Sequence, residues 1–166
     1  MWRPGFAYVD RRPALLHGRR RAFCIYSVHH RGTPARKGLV LGLAPGGATR
    51  GVAYRVDKAA WPEIYAYLLE REQPTETYYE AWTPVRLAGG GAVKALVFLS
   101  RTDHAQWAGV LDLETQARLI AGASGLSGRN VDYLRDLVVH LREAGVADRS
   151  MEALLARVEA LEAEAA

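Results

Sequence analysis

Apolar positions recur at the period of strands in the first two-thirds of the chain and at the period of helices in the last third. After an irregular lead-in, residues 14–28 read as a strand with Phe23, Ile25 and Tyr26 at its apolar end, and Gly32-Thr33-Pro34 breaks it. Leu39-Val40-Leu41-Gly42-Leu43 and Gly51-Val52-Ala53-Tyr54-Arg55-Val56 read as two short strands turning around Pro45-Gly46-Gly47, a hairpin-like layout. Residues 58–71 look helical, with Pro62 tolerated in the first turn, Ile64, Tyr67 and Leu68 on one face, and Pro74 stopping the helix. Residues 78–87 and 93–99 read as strands joined by Gly89-Gly90-Gly91. Three helices follow: residues 113–121, one marked by Leu134, Leu137, Val138 and Leu141, and one marked by Met151, Leu154, Leu155, Val158 and Leu161. Each of the last two carries a single apolar stripe and therefore packs one face on a core. Strands first and helices last predict an α+β domain with a curved or barrel-like sheet.

At 166 residues the chain suits one compact domain, and its 49% hydrophobic fraction is that of a globular protein. No run of about 18 apolar residues is present, and the first residues lack a signal-peptide layout. A single cysteine, Cys24, allows no internal disulfide, so a cytoplasmic location and no membrane partner are expected. The formal charge of +4, with Arg11-Arg12 and Arg19-Arg20-Arg21 as its densest points, fits a nucleic-acid surface, arginines that face water, or attraction of a small anionic substrate. Charge alone does not separate the three.

Most local motifs have a plain structural reading. Gly89-Gly90-Gly91 lacks the spacing of a phosphate loop and sits between strands, as a hairpin loop does. His29-His30 are adjacent, so on a strand they point to opposite faces, and no spaced His or Cys partners accompany them; no metal is expected. Cys24 in an apolar strand reads as a small buried hydrophobe. Ser127 and Asn130 precede a helix and are candidate N-caps, while the same helix start is a natural place to hold a carboxylate. Glu72 stands where the 58–71 helix gives out. Helix C-termini carry partial negative charge, which favours the protonated form of a carboxyl group and suits a general base.

Taken in order, Met1-Trp2-Arg3-Pro4-Gly5-Phe6, Arg20-Arg21-Ala22-Phe23, His30-Arg31-Gly32-Thr33-Pro34, Gly51-Val52-Ala53-Tyr54-Arg55-Val56, Tyr67-Leu68-Leu69-Glu70-Arg71-Glu72 and Ser127-Gly128-Arg129-Asn130-Val131-Asp132-Tyr133-Leu134 resemble the ChaC family of glutathione-specific γ-glutamylcyclotransferases. The resemblance runs from Met1 to about Leu141. It implies a γ-glutamylcyclotransferase-like fold, a small mixed β-barrel with flanking helices, in one domain covering residues 1–166. It also implies an enzyme that acts on glutathione and needs no cofactor; a monomer with no nucleic-acid partner is expected.

By the same resemblance, Glu72 is the acid–base that moves a proton while the glutamyl amine closes on its own γ-carbonyl, giving 5-oxoproline and cysteinylglycine. Glu76, in a loop that departs from the family pattern, is a competing carboxylate. The family's tyrosine-glycine-serine-leucine substrate loop comes directly before the Trp-Arg-Pro segment, so the sequence as given is expected to lack the first strand and that loop, leaving Met1 as the substrate-side residue next to it. A start placed too far downstream and a truncated, inactive binding module of the same fold are the two explanations. Arg31 and Tyr133 are the candidate holders of a substrate carboxylate, from their places in the matched motifs and their polar chemistry.

Overall fold

A computed structural model describes residues 4–72 and 75–165. It is an α+β structure of six strands and four helices in the described residues: β1 (Asp10–Ser27), β2 (Gly38–Arg55), α1 (Trp61–Glu72), β3 (Tyr78–Leu87), β4 (Ala92–Ser100), α2 (Leu113–Ile120), β5 (Ser124–Gly125), β6 (Gly128–Arg129), α3 (Asn130–Glu143) and α4 (Arg149–Glu164). The main sheet has the order β2-β1-β3-β4, and β5 pairs with β6 in a two-stranded ribbon. The chain forms two compact units, one of residues up to Arg21 with Leu43–Ala105, the other of Ala22–Gly42 with Gln106–Ala166.

In the first unit β3 and β4 form a regular antiparallel hairpin, from Tyr78 opposite Ser100 to Arg86 opposite Ala92. Gly89, Gly90 and Gly91 all have positive φ, the left-handed region that turns the chain back, and the Leu87 N–H closes the loop on the Gly91 carbonyl at 3.0 Å. β1 joins the hairpin through Ala14 opposite Leu87. Helix α1 begins one residue before Pro62, where a missing N–H costs nothing, and buries Ile64 and Leu68. Pro74, the expected stop, lies outside the described residues.

The expected hairpin around Pro45-Gly46-Gly47 is not formed. Residues 38–55 are one continuous strand. Gly46 and Gly47 both take positive φ, but the Arg20 guanidinium donates to the Pro45 carbonyl at 2.6 Å, so the distortion is held against β1 and the strand resumes. Such a bulge and its proline are tolerated because β2 is an edge strand.

In the second unit α3 buries Val131, Leu134, Leu137, Val138 and Leu141, and α4 buries Met151, Leu154 and Val158. Burying each such side chain contributes roughly 1.5–3 kcal/mol. Leu155 and Leu161, expected on the same stripe, are only half-buried at its margin. Charge pairs tie these helices together: Arg157 grips Glu114 of α2 at 2.7 and 3.1 Å, holding that carboxyl below the usual range, and Arg135 of α3 reaches Glu159 of α4 at 2.9 Å.

Helix α2 is capped by Asp112, whose carboxylate accepts the Thr115 N–H at 2.7 Å and the Thr115 hydroxyl at 2.9 Å. The Thr115 N–H, then its hydroxyl, lowers the Asp112 pKa. A lowered folded-state pKa contributes stability that is present above the ordinary aspartate pKa and disappears as pH falls through the lowered value. Asp112→Ala is therefore expected to lower Tm by a few degrees at neutral pH, with the deficit shrinking in strong acid. Thermal melts of both proteins across pH test this; a deficit independent of pH refutes the charged-cap account.

Candidate active site

Glu72 is the last residue of α1, and its side chain is 23% exposed. Its Oε1 pairs with Arg71 Nε at 3.3 Å. Arg71 is itself fastened in two further directions: Nη1 donates to the Pro4 carbonyl at 3.1 Å and to the Tyr67 hydroxyl at 3.1 Å. Gly5, at φ +73°, passes so close to the Tyr67 hydroxyl that a Cβ there would collide with it. The motif residues Pro4, Gly5, Tyr67, Arg71 and Glu72 thus form one connected assembly around the end of α1. Met1, the candidate substrate-side residue, lies outside the described residues.

Glu76 occupies the left-handed region at φ +54° and is exposed. Glu80, a further acid of this unit, is engaged by the Tyr65 hydroxyl at 2.6 Å, which raises the tyrosine pKa.

In the second unit the structure brings Arg31 and Tyr133 together. The Arg31 guanidinium lies over the Tyr133 ring, 5.3 Å from its centroid, and the same ring makes a T-shaped contact with Phe23 at 5.9 Å. Arg31 is positioned by its loop: its N–H donates to the Ser27 hydroxyl at 2.9 Å, and its Nη1 donates to the Arg129 carbonyl at 3.2 Å. Gly32 follows because the chain is crowded on all sides here; a Cβ would strike the Ser27 and Arg36 carbonyls and the Gly38 nitrogen. Thr33 then closes the turn, accepting the Arg36 N–H at 3.0 Å. The Arg-Gly-Thr run is the sequence that lets a tight loop present its guanidinium to α3.

The candidate caps of α3 do something else. Arg129 is the N-cap residue and makes no side-chain cap bond, while Ser127 meets His30 Nδ1 at 3.0 Å from the β5–β6 turn. Asn130, fully buried, clamps Leu39 at the start of β2: Oδ1 accepts the Leu39 N–H at 2.7 Å, and Nδ2 donates to the Leu39 carbonyl at 2.8 Å. Neither the clamp nor the short β5–β6 ribbon was expected. A buried amide one residue into a helix, preceded by Gly128-Arg129, was the available signal.

Cys24 is buried in β1, as its apolar neighbours required. Among the described residues no group of three or more His, Cys, Asp or Glu side chains is gathered for a metal, and no helix is long and apolar enough to cross a membrane. An open cleft of about 340 Å³ in the second unit, lined by Pro34, Ala35, Arg36, Lys37, Arg118 and Leu119, includes none of Glu72, Arg31 and Tyr133.

The fold is that of a known group of enzymes. A crystal structure described as a γ-glutamyl cyclotransferase specific to glutathione from yeast superposes with a TM-score of 0.81 at 25% identity, over 93% of this chain and 92% of that one. The family model of ChaC-like proteins matches residues 1–161. The glutathione-specific γ-glutamylcyclotransferase of Escherichia coli K12 is 35% identical over 164 residues, spanning 99% of this chain and 71% of the relative. The human glutathione-specific γ-glutamylcyclotransferase 1 is 31% identical over 149 residues, spanning 87% and 67%. The chain belongs to the ChaC-like family.

Proposed function

We propose that this protein is a glutathione-specific γ-glutamylcyclotransferase, a lyase that converts glutathione to 5-oxoproline and cysteinylglycine, with Glu72 as its general acid–base. The observation that carries the reading is the 35% identity to the Escherichia coli glutathione-specific enzyme across nearly the whole chain. Glu72, at the end of α1 and paired with the Arg71 that holds the Pro4 carbonyl, is the acid that the matched motif singles out.

The reaction is internal to one substrate molecule. The glutamyl α-ammonium gives a proton to the Glu72 carboxylate; the free amine attacks the γ-carbonyl carbon and closes a five-membered lactam. The C–N bond to cysteine then breaks, the proton held on Glu72 goes to the departing nitrogen, and the second proton shed by the ring nitrogen as it becomes the lactam N–H ends on the cysteinylglycine amine, leaving Glu72 a carboxylate again. Folding the glutamyl chain so that amine and carbonyl meet draws on the roughly 7–11 kcal/mol available from proximity. Backbone N–H donors must steady the oxyanion that forms in between. Nucleophile, electrophile and leaving group all come from glutathione, so the scheme uses no cofactor, nucleic acid, membrane or second subunit. Thiols are kept reduced by glutathione in the cytosol, which supports a cytoplasmic location for an enzyme acting on it as a monomer.

Arg31 and Tyr133 are the proposed contacts to a substrate carboxylate. A guanidinium held over a tyrosine ring is a fixed cation close to a phenolic hydroxyl, a pairing that suits an anionic group. The test is to incubate the purified chain, alone and with any residues encoded in frame ahead of Met1, with glutathione and to quantify 5-oxoproline. Product from neither form refutes the function. Tyr133→Phe is expected to raise KM several-fold with little change in kcat, and an unchanged KM removes Tyr133 from the site.

A further inference from the structure

We propose that Arg71 is the positioning residue of the Glu72 carboxylate, aiming it for proton transfer; the proposal rests on the reading of Glu72 as the acid–base. Neighbouring residues on a helix point about 100° apart and do not ordinarily face each other. The Arg71–Glu72 pair at 3.3 Å is therefore not a by-product of helical spacing. Arg71 meets its neighbour because the Pro4 carbonyl and the Tyr67 hydroxyl, each 3.1 Å from Nη1, hold the guanidinium against the end of the helix. Tyr67 is fixed in turn by the close passage of Gly5, a residue whose positive φ and lack of a Cβ make that approach possible.

The consequence is a division of labour on one carboxylate. Arg71 Nε takes Oε1, and we assign Oε2 to the substrate amine. A base at a helix end, with rotatable bonds and a partly exposed side chain, would otherwise sample many directions. Proton transfer needs heavy atoms within about 2.6–3.2 Å. Arginine suits the task because its planar fork lets Nε and Nη1 donate to separate acceptors at once, which a lysine ammonium on a flexible stem does not. The pair adds little to stability, since exposed ion pairs are screened and entropically costly, so its role is to be read in turnover.

Steady-state kinetics on glutathione for wild type, Arg71→Ala, Arg71→Lys, Glu72→Gln and the Arg71→Ala/Glu72→Gln double variant test the proposal, with Tm recorded for each. Arg71→Ala is expected to lose about 10–100-fold in kcat with KM within about threefold and Tm within a few degrees. Arg71→Lys should be intermediate, millimolar guanidinium should restore part of the Arg71→Ala rate, and Arg71→Ala should cost nothing further in the Glu72→Gln background. A full kcat in Arg71→Ala, or a raised KM at full kcat, overturns the positioning role while leaving Glu72 as the base. An undiminished kcat in Glu72→Gln overturns the reading of Glu72, and the proposal with it.

Discussion

Glu72→Gln is expected to reduce kcat for 5-oxoproline formation by about 10²–10⁴-fold, the usual range for removal of a positioned acid–base. Glutamine keeps the shape of the side chain and still accepts a hydrogen bond from Arg71, but its amide does not take the ammonium proton. The substrate amine then stays protonated at neutral pH and has no lone pair for attack on the γ-carbonyl. KM should change little, because the lost contribution is made in the transition state rather than in binding. Stability should also change little, since the side chain sits at a partly exposed helix end. The control is Glu76→Gln, on an exposed residue at φ +54°, which should turn over as wild type does. Equal rates for wild type and Glu72→Gln would mean that the proton moves by another route.

What the sequence made legible depended on how local the determining interactions are. The β3–β4 hairpin, α1 and the last two helices were readable because each is specified by neighbours within a few residues: three glycines between two apolar runs, Pro62 in a first turn, and single stripes on α3 and α4. Pro45-Gly46-Gly47 has the local pattern of a turn but its outcome is decided by Arg20, distant in sequence, which captures the Pro45 carbonyl as the strand runs on. The same applies to Ser127 and Asn130. Both have the chemistry of caps, and both are instead used across nearly a hundred positions, by His30 and Leu39.

The candidate site divides along the same line. Glu72 could be marked as an acid at a helix end, but only the family resemblance distinguished it from Glu76. The Arg31–Tyr133 contact joins residues from a loop and a helix far apart in the chain, so motif membership named the two residues without revealing that they touch. Nor did any local pattern point to the fastening of Arg71 by Pro4 and Tyr67. That fastening gives the lead-in segment a structural role at the end of α1.

The largest stability effect is expected at Asn130. Its side chain and Leu39 are both fully buried, and the two bonds between them, at 2.7 and 2.8 Å, satisfy a backbone N–H and a backbone C=O that water does not reach. Asn130→Ala deletes both partners and leaves both backbone groups unpaired, at a cost of about 1–3 kcal/mol each. A total of roughly 3–5 kcal/mol is a large share of the 5–15 kcal/mol typical of a whole domain. Asn130→Asp should be similarly damaging: it keeps the acceptor for the Leu39 N–H but sets a carboxylate oxygen against the Leu39 carbonyl in a buried place. The clamp also bears on Arg31, because Gly38 is wedged between the Arg31 carbonyl and the Asn130 side chain. Loss of the amide frees the end of the loop that presents the guanidinium to Tyr133, so surviving folded protein should bind glutathione more weakly as well as unfold more easily. Denaturant titrations give the stability change, and KM at low temperature gives the second effect. A stability loss below about 1 kcal/mol would show that the Leu39 groups find other partners and that Asn130 does not hold this loop.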